Sequence, residues 1–155
     1  MKEIKGNLIT LAEKGEFDVI VHGCNCMHVF GAGIAKEIKE RYPQAYEEDL
    51  KTTAIIPYDH KLGSCSMAVE RGEGDHTFYI VNAYTQVGYG TDKRYVDYNA
   101  VYDVFKYLGE NFSDSRIGYP LIGAGLGGGK WMMISQVIND ALEGCDHTLV
   151  RWDGS

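Results

Sequence analysis

The stretch that decides the fold runs Phe17-Asp18-Val19-Ile20-Val21-His22-Gly23-Cys24-Asn25-Cys26-Met27-His28-Val29-Phe30-Gly31-Ala32-Gly33-Ile34. Phe17 to His22 is an apolar, β-branched run ending in a polar residue, the pattern of a strand buried on both faces. Ile34, Ile38 and Tyr42 then recur at i, i+4 and i+8, so a helix is expected from Ile34 to Tyr42. Gly31 and Gly33 stand between strand and helix. A helix N-terminus carries about +0.5 charge and free N–H donors, and glycines let an anion come close to the backbone. The same order recurs at Gly123-Ala124-Gly125-Leu126-Gly127-Gly128-Gly129-Lys130-Trp131, with a strand expected at Arg116–Ile122 before it and a helix at Trp131–Leu142 after it. Five glycines within Gly123–Gly129 are costly to order, which points to a ligand held by that backbone.

Outward from these two loops, Pro43 opens a second short helix, to about Leu50, at the favoured first position. Ala54–Pro57 reads as a weak edge strand. Cys65–Glu70 and Thr77–Ala83 read as strands of a hairpin across the Arg71–Asp75 turn. A helix is expected over Tyr95–Leu108, with Tyr98, Val101, Tyr102, Phe105 and Leu108 on one core-facing stripe. His147–Trp152 is a last strand. Strands alternating with helices imply an α/β fold, a three-layer α/β/α domain over 1–155 with a mostly parallel or mixed central sheet. Ligands of such sheets bind at the carboxyl ends of the strands, where both glycine loops fall.

The chain has 155 residues, a formal charge of −7, and 45% hydrophobic and 24% charged residues. That composition excludes disorder, and no apolar run approaches the roughly 20 residues of a membrane-spanning helix. No apolar stretch of a signal peptide follows Met1-Lys2-Glu3-Ile4-Lys5-Gly6. The four cysteines are expected to be reduced in a cytoplasmic protein, with Cys65 and Cys145 as small buried hydrophobes. Cys24-Asn25-Cys26 lacks zinc spacing, so no metal and no cofactor is expected. The acidic balance argues against nucleic acid as a partner, and a monomer is expected. Gly123–Lys130 lacks the Gly-Lys-Ser/Thr ending of a P-loop, and neither cluster is a dinucleotide fingerprint.

The chain resembles the macro domain family, which binds ADP-ribose. Gly6-Asn7-Leu8-Ile9, Asp18 to Asn25, Gly31-Ala32-Gly33-Ile34-Ala35 and Tyr119 to Trp131 carry the resemblance in the family's order. Ile20-Val21-His22-Gly23-Cys24-Asn25-Cys26 followed by Gly-x-Gly-Ile-Ala points to the branch of ADP-ribose-1''-phosphate phosphatases and terminal ADP-ribose-glutamate hydrolases. The resemblance implies a small-molecule ADP-ribose derivative as ligand, with an ADP-ribosylated protein as an alternative partner. It implies hydrolysis of ADP-ribose-1''-phosphate to ADP-ribose and phosphate; a non-catalytic reader and a de-ADP-ribosylating hydrolase are the alternatives. The hydrolase members have a lysine after a threonine where this chain has Thr85-Gln86, and an aspartate in the second loop, where this chain reads Gly-Leu-Gly-Gly-Gly-Lys.

The resemblance makes His22 the catalytic candidate, and a histidine titrating near neutrality suits a nucleophile, base or acid. Asp92, in the loop Gly88-Tyr89-Gly90-Thr91-Asp92, is the candidate general acid and Asp97 its runner-up. The substrate-binding set is Asn7, Leu8, Asn25, Gly31, Ala32, Gly33, Ile34, Tyr89, Gly123, Ala124, Gly125, Leu126, Gly127, Gly128 and Trp152. Asn25 would meet the distal ribose or cap its own turn. Asn7 stands where the family has an aspartate accepting from the adenine amine; its amide oxygen can accept without charge assistance. Tyr89 would cover the distal ribose, and Trp152 would stack on adenine or pack at the sheet edge. His28 is expected as an exposed loop residue, and Trp131 as a packing anchor.

Overall fold

The computed structural model describes residues 1–52 and 60–155. The expected edge strand Ala54–Pro57 lies outside the described residues. In chain order the elements are β1 (Lys2–Gly6), α1 (Leu8–Glu13), β2 (Val19–Asn25), α2 (Gly33–Arg41), α3 (Pro43–Lys51), β3 (Cys65–Arg71), β4 (Thr77–Gln86), α4 (Tyr98–Asn111), β5 (Arg116–Tyr119), α5 (Trp131–Ala141) and β6 (Asp146–Trp152). The strands form one six-stranded sheet in the order β1-β6-β5-β2-β4-β3. β1, β6, β5, β2 and β4 run parallel to their neighbours, and β3 alone is antiparallel, paired to β4 as the hairpin composition predicts. Among the described residues no helix is long and apolar enough to cross a membrane.

The alternation of β2 explains the layers. Val19 and Val21 join the core under α4 and α5, with Val101, Phe105, Ile134 and Ile138. Ile20 points to the other face, into a core with Leu8 and Ile9 of α1, Ile38 of α2 and Ala45 of α3. Further along that face Cys24 packs with Cys26, Phe30 and Tyr84. Two helices therefore cover one face and three the other, which gives the expected α/β/α layers.

The differences from the sequence reading have local causes. α1 carries too few residues for a periodic signal; Asn7 nucleates it, its Oδ1 accepting from the Thr10 amide at 3.1 Å. α4 starts at Tyr98 rather than Tyr95, because Asp97 is extended and caps it through the Ala100 amide at 3.0 Å. Tyr102 is 40% exposed, so the aromatic stripe of α4 is not wholly core. β5 ends at Tyr119, before Pro120, which has no N–H for the ladder. Cys65 and Cys145 are half-buried rather than buried.

Asp18 fixes where β5 begins beside β2. Its carboxylate accepts the Arg116 amide at 2.8 Å and its guanidinium at 2.9 and 3.0 Å, and that pairing holds the Asp18 carboxyl below its usual range. Two residues on, Gly118 has no side chain because Leu8 of α1 and Phe17 rest directly on the strand; a Cβ there would stand 2.9 Å from both. Gly118→Ala is expected to destabilise the protein by about 1–3 kcal/mol, read as a lower urea midpoint with an unchanged slope. An unchanged midpoint would show that this face of the sheet gives way freely.

Candidate functional site

The parallel strands place the loops after β2, β4 and β5 on one edge of the sheet. Gly23 of β2 brings them together: a Cβ there would lie 3.1 Å from Thr85 Oγ1 of β4 and 3.2 Å from Ile122 Cγ2, just beyond β5. Two runs of backbone amides are open on this edge. Ala32 precedes α2 with no side-chain cap, and the first helical bond is from the Lys36 amide to the Ala32 carbonyl at 3.3 Å. Among the described residues, the amides of Gly31, Ala32, Gly33, Ile34 and Ala35 donate to no protein acceptor, nor do those of Gly125, Leu126 and Gly127. Gly31, Ala32, Gly33, Gly125 and Leu126 are exposed. Such N–H groups suit an anion.

The glycines of the second loop divide by cause. Gly123, with φ of +72°, would drive a Cβ to 2.6 Å from Val96, and Gly129 would drive one to 2.5 Å from the same side chain. Gly128, with φ of +74°, lies against Arg94. The Gly127 carbonyl accepts the Tyr95 and Val96 amides at 2.9 and 3.1 Å. These four glycines let the loop pack on the chain ahead of α4. Gly125 differs, since a Cβ there would meet nothing within 4 Å. Ala124 is half-buried against the core under α4 and α5, and Trp131 packs on that core as expected. In the first loop Gly33 needs its positive φ of +57°, while a Cβ on Gly31 would make one ordinary contact with Val29.

Several candidates stand elsewhere than expected. His22 is 1% exposed and faces the core under α2 and α3, edge-on to Phe30. Both Asn82 amide protons are taken, by the Ala45 carbonyl at 2.9 Å and Ser66 Oγ at 3.0 Å. The Asn82 oxygen therefore accepts from His22 Nε2 at 2.7 Å, and the Cys24 thiol rests against the ring, 3.5 Å from Nε2 and 3.6 Å from Nδ1. Burial lowers the His22 pKa to about 4. The ring is thus a neutral, hydrogen-bonded core group that does not open onto the loop edge. Burial likewise holds the Cys24 and Cys26 thiols protonated.

Asn25 serves its own turn, accepting the Met27 and Val29 amides at 2.9 and 3.2 Å and donating to the Val29 carbonyl at 2.8 Å. That is the capping alternative of the sequence reading. Asp92 is exposed and accepts from the Tyr95 hydroxyl at 2.5 Å, which pulls its carboxyl below the usual range. That direction favours the ionised carboxylate, which accepts protons rather than donating them. Asp97 is the cap of α4. Gln86 donates to the Gly88 carbonyl at 2.9 Å, and Tyr89 beyond it is exposed. Leu8, the first residue of α1, is buried in the core under that helix, and Asn7 before it is half-buried. Asn7 and Trp152 come together, since Gly6 pairs with Trp152 and both side chains donate to the Ser155 carbonyl, at 3.0 and 3.2 Å. Trp152 is 73% exposed, which rules out packing at the sheet edge.

The first loop rests on residues that no sequence motif marks, and His28 is not the exposed loop residue its position suggests. His28 is only 13% exposed at its side chain, has a φ of +63°, and pairs through Nδ1 with Asp49 Oδ2 at 2.7 Å. Tyr46 donates to the His28 carbonyl at 2.9 Å. Asp49 and Lys61 are both fully buried, 3.7 Å apart, and Tyr84 donates to Asp49 at 2.6 Å. An acid on α3 and a lysine beyond it form no motif, so nothing in the spacing could announce the pair.

No family model matches the chain. Over 158 aligned positions, 99% of this chain and 97% of the relative, it is 32% identical to an uncharacterized 17.5 kDa protein of the tk-vs intergenic region of Enterobacteria phage T4. It is 41% identical over 46 residues, 30% of this chain and 21% of the relative, to an ADP-ribose 1''-phosphate phosphatase of Aspergillus oryzae. It is 26% identical over 135 residues, 84% of this chain and 36% of the relative, to a DNA ADP-ribosyl glycohydrolase of Mycobacterium tuberculosis. Among solved structures, the macrodomain of Thermus aquaticus DarG superposes with a TM-score of 0.73 at 23% identity over 97% of this chain and 96% of that one. Thermosipho africanus DarTG in complex with ADP-ribose superposes with a TM-score of 0.72 at 15% identity, over 92% of this chain and 40% of that one.

The burial of His22 carries a pH signature. Its folded pKa of about 4 lies below the ordinary histidine value of 6.5, so its contribution is complete above pH 6.5 and is lost as pH falls toward 4. His147, also lowered to about 4 by burial, acts in the same direction. The melting temperature is expected to fall across that window, and His22→Gln to flatten the fall by about one proton's worth of linkage. A His22→Gln profile parallel to the wild type would mean that the ring is accessible to water.

Proposed function

We propose that the chain, whose fold is that of the macro domains, belongs to their family, binds an ADP-ribose derivative along the carboxyl edge of its sheet and hydrolyses a phosphomonoester on the distal ribose, releasing ADP-ribose from ADP-ribose-1''-phosphate. The observation that carries the binding is the pair of open amide runs, Gly31 to Ala35 and Gly125 to Gly127, on loops leaving adjacent parallel strands. A pyrophosphate bridged by N–H donors needs no basic side chain, which suits a chain of net charge −7. The relatives and structural neighbours that act on or hold ADP-ribose support the ligand class.

The order of strands suggests how the ligand lies. β5 and β2 would carry the diphosphate, β6 and β1 the base end at Trp152 and Asn7, and β4 the distal ribose near Gln86 and Tyr89. At that end hydrolysis needs a water attacking phosphorus, a ribose hydroxyl leaving, and the loop amides balancing the charge of the phosphoryl oxygens. The ionised Asp92 suits orientation of the water better than protonation of the leaving oxygen. The match to a phosphatase over 46 residues favours this reaction. Gln86 offers no amine nucleophile for cleavage of a conjugated ADP-ribose. Binding without turnover is the second reading, and the burial of His22 favours it.

Calorimetry with ADP-ribose tests the ligand, and phosphate release from ADP-ribose-1''-phosphate tests the reaction. Binding by the wild type is expected. Gly125→Val should weaken it at least roughly tenfold with stability unchanged to within about 0.5 kcal/mol, because its side chain meets only open space in the free protein. Binding with no phosphate released selects the second reading, and no binding refutes both.

A further inference from the structure

We propose that a cleft at the β4 end of this edge, lined by Lys93 and Arg94, holds the phosphomonoester on the distal ribose, so that these two side chains make the protein prefer an ADP-ribose carrying that phosphate to ADP-ribose itself. The inference rests on the ADP-ribose reading above and assigns to it the residues that recognise the terminal phosphate.

A cleft of about 310 Å³ opens between Leu62, just ahead of β3, and the loop from β4 to α4, where Val87, Gly88, Lys93, Arg94 and Tyr95 line it. β3 runs antiparallel to β4, with Cys65 beside Ala83, so its start lies toward the carboxyl end of β4. The cleft therefore continues the ligand-binding edge beyond the place of the distal ribose. Its wall is joined to the second glycine loop. The Gly127 carbonyl accepts the Tyr95 and Val96 amides, and a Cβ on Gly128 would stand 3.1 Å from Arg94 Cα. Gln86 touches both sides: its Nε2 donates to the Gly88 carbonyl at 2.9 Å, and its Oε1 lies 3.0 Å from where a Cβ on Gly127 would be. Lys93 and Arg94 thus stand on the chain that packs directly against the loop of open amides.

Both cations are exposed, and among the described residues neither forms an ion pair with a carboxylate. Each rests on an aromatic ring instead, the Lys93 ammonium 5.1 Å from the centre of Tyr95 and the Arg94 guanidinium 4.6 Å from that of Tyr98. Lys130, which closes the second loop, adds a third cation, and its amide donates to the same Tyr98 oxygen at 3.1 Å. The carboxylates nearby are committed. Asp97 lines the cleft but caps α4 through the Ala100 amide at 3.0 Å. Asp92 accepts the Tyr95 hydroxyl at 2.5 Å, which with Lys93 nearby keeps its carboxyl low. Three cations gathered against two such carboxylates stand out in a chain of net charge −7. The amide runs suffice for a diphosphate, but a phosphomonoester brings about 1.5 to 2 further negative charges. A guanidinium fork and an ammonium are the side chains that meet such a group. The bare hydroxyl of ADP-ribose would leave both in water, so the preference follows from the phosphate alone.

Calorimetry compares ADP-ribose with the phosphonate analogue of ADP-ribose-1''-phosphate, in which a methylene replaces the scissile oxygen so that no turnover enters the measurement. The wild type is expected to bind the phosphonate about tenfold more tightly or better, with a margin that shrinks as salt is raised. Lys93→Gln should cut that margin by about threefold or more, and Lys93→Gln combined with Arg94→Gln should bring the two ligands within about twofold of each other. Lys93→Arg should retain the margin. Thermal melts establish that each variant is folded, and because Arg94 packs on the second loop, Lys93→Gln alone decides the matter if the double variant is not. Equal affinity of the wild type for the two ligands, or an unchanged margin in Lys93→Gln, overturns this inference and leaves the ADP-ribose reading intact. Equal weakening of both ligands by Lys93→Gln does the same, since it would put the cation on the diphosphate. Failure of the folded wild type to bind either ligand overturns both.

Discussion

A parallel sheet sends the carboxyl ends of neighbouring strands to one edge, and each chain must then turn away into a helix. In this protein β2 turns toward α2 on one face and β5 toward α5 on the other. The two turns open from adjacent strands in opposite directions, and both leave amides unpaired, those of Gly31 to Ala35 at the start of α2 and those of Gly125 to Gly127 in the loop ahead of α5. Everything at the functional edge depends on that constraint. The loops need no charged side chain to attract an anion, and the glycines that line them answer different demands. Gly123 and Gly129 let the second loop close against Val96, Gly128 against Arg94 and Gly127 against Gly123, whereas Gly125 stands in open space.

Beneath the edge lies a polar layer in the core under α2 and α3. His22, Asn82 and Ser66 form one chain of hydrogen bonds, and Tyr84 links Ser66 to Asp49. Asp49 in turn pairs with His28 of the first loop and faces Lys61. The layer ties a loop with a left-handed non-glycine residue to β4 and α3. Removing one member would leave buried partners unpaired, which is the costly way to break such a network. His22 belongs to this support, and its position at the strand end gives it a structural task beside the site.

The α/β/α order, the hairpin and the two glycine loops were legible in the sequence because each rests on local pattern: buried β-branched runs, helical periodicity and clustered glycine. α1 was not legible, because six residues carry no period and its start depends on one capping side chain. The site divided the same way. Backbone donors follow from strand–glycine–helix order, so Gly31 to Ile34 and Gly125 to Gly127 could be read. Side-chain roles depend on which face of a strand a residue occupies and on partners distant in sequence. His22 alternates with Val21 and Gly23 and so points into the core. Asn25 bonds its own turn, and the Asn7–Trp152–Ser155 cluster joins residues from both ends of the chain. No spacing rule connects those positions.

The central claim is that the two amide runs act together on one diphosphate. Titration of the 15N-labelled protein with ADP-ribose, followed by amide chemical shifts, addresses it residue by residue. Gly31 to Ala35 and Gly125 to Gly127 are expected to shift together with a single saturation curve. Shifts confined to one of the two loops, or found only away from this edge, would contradict it.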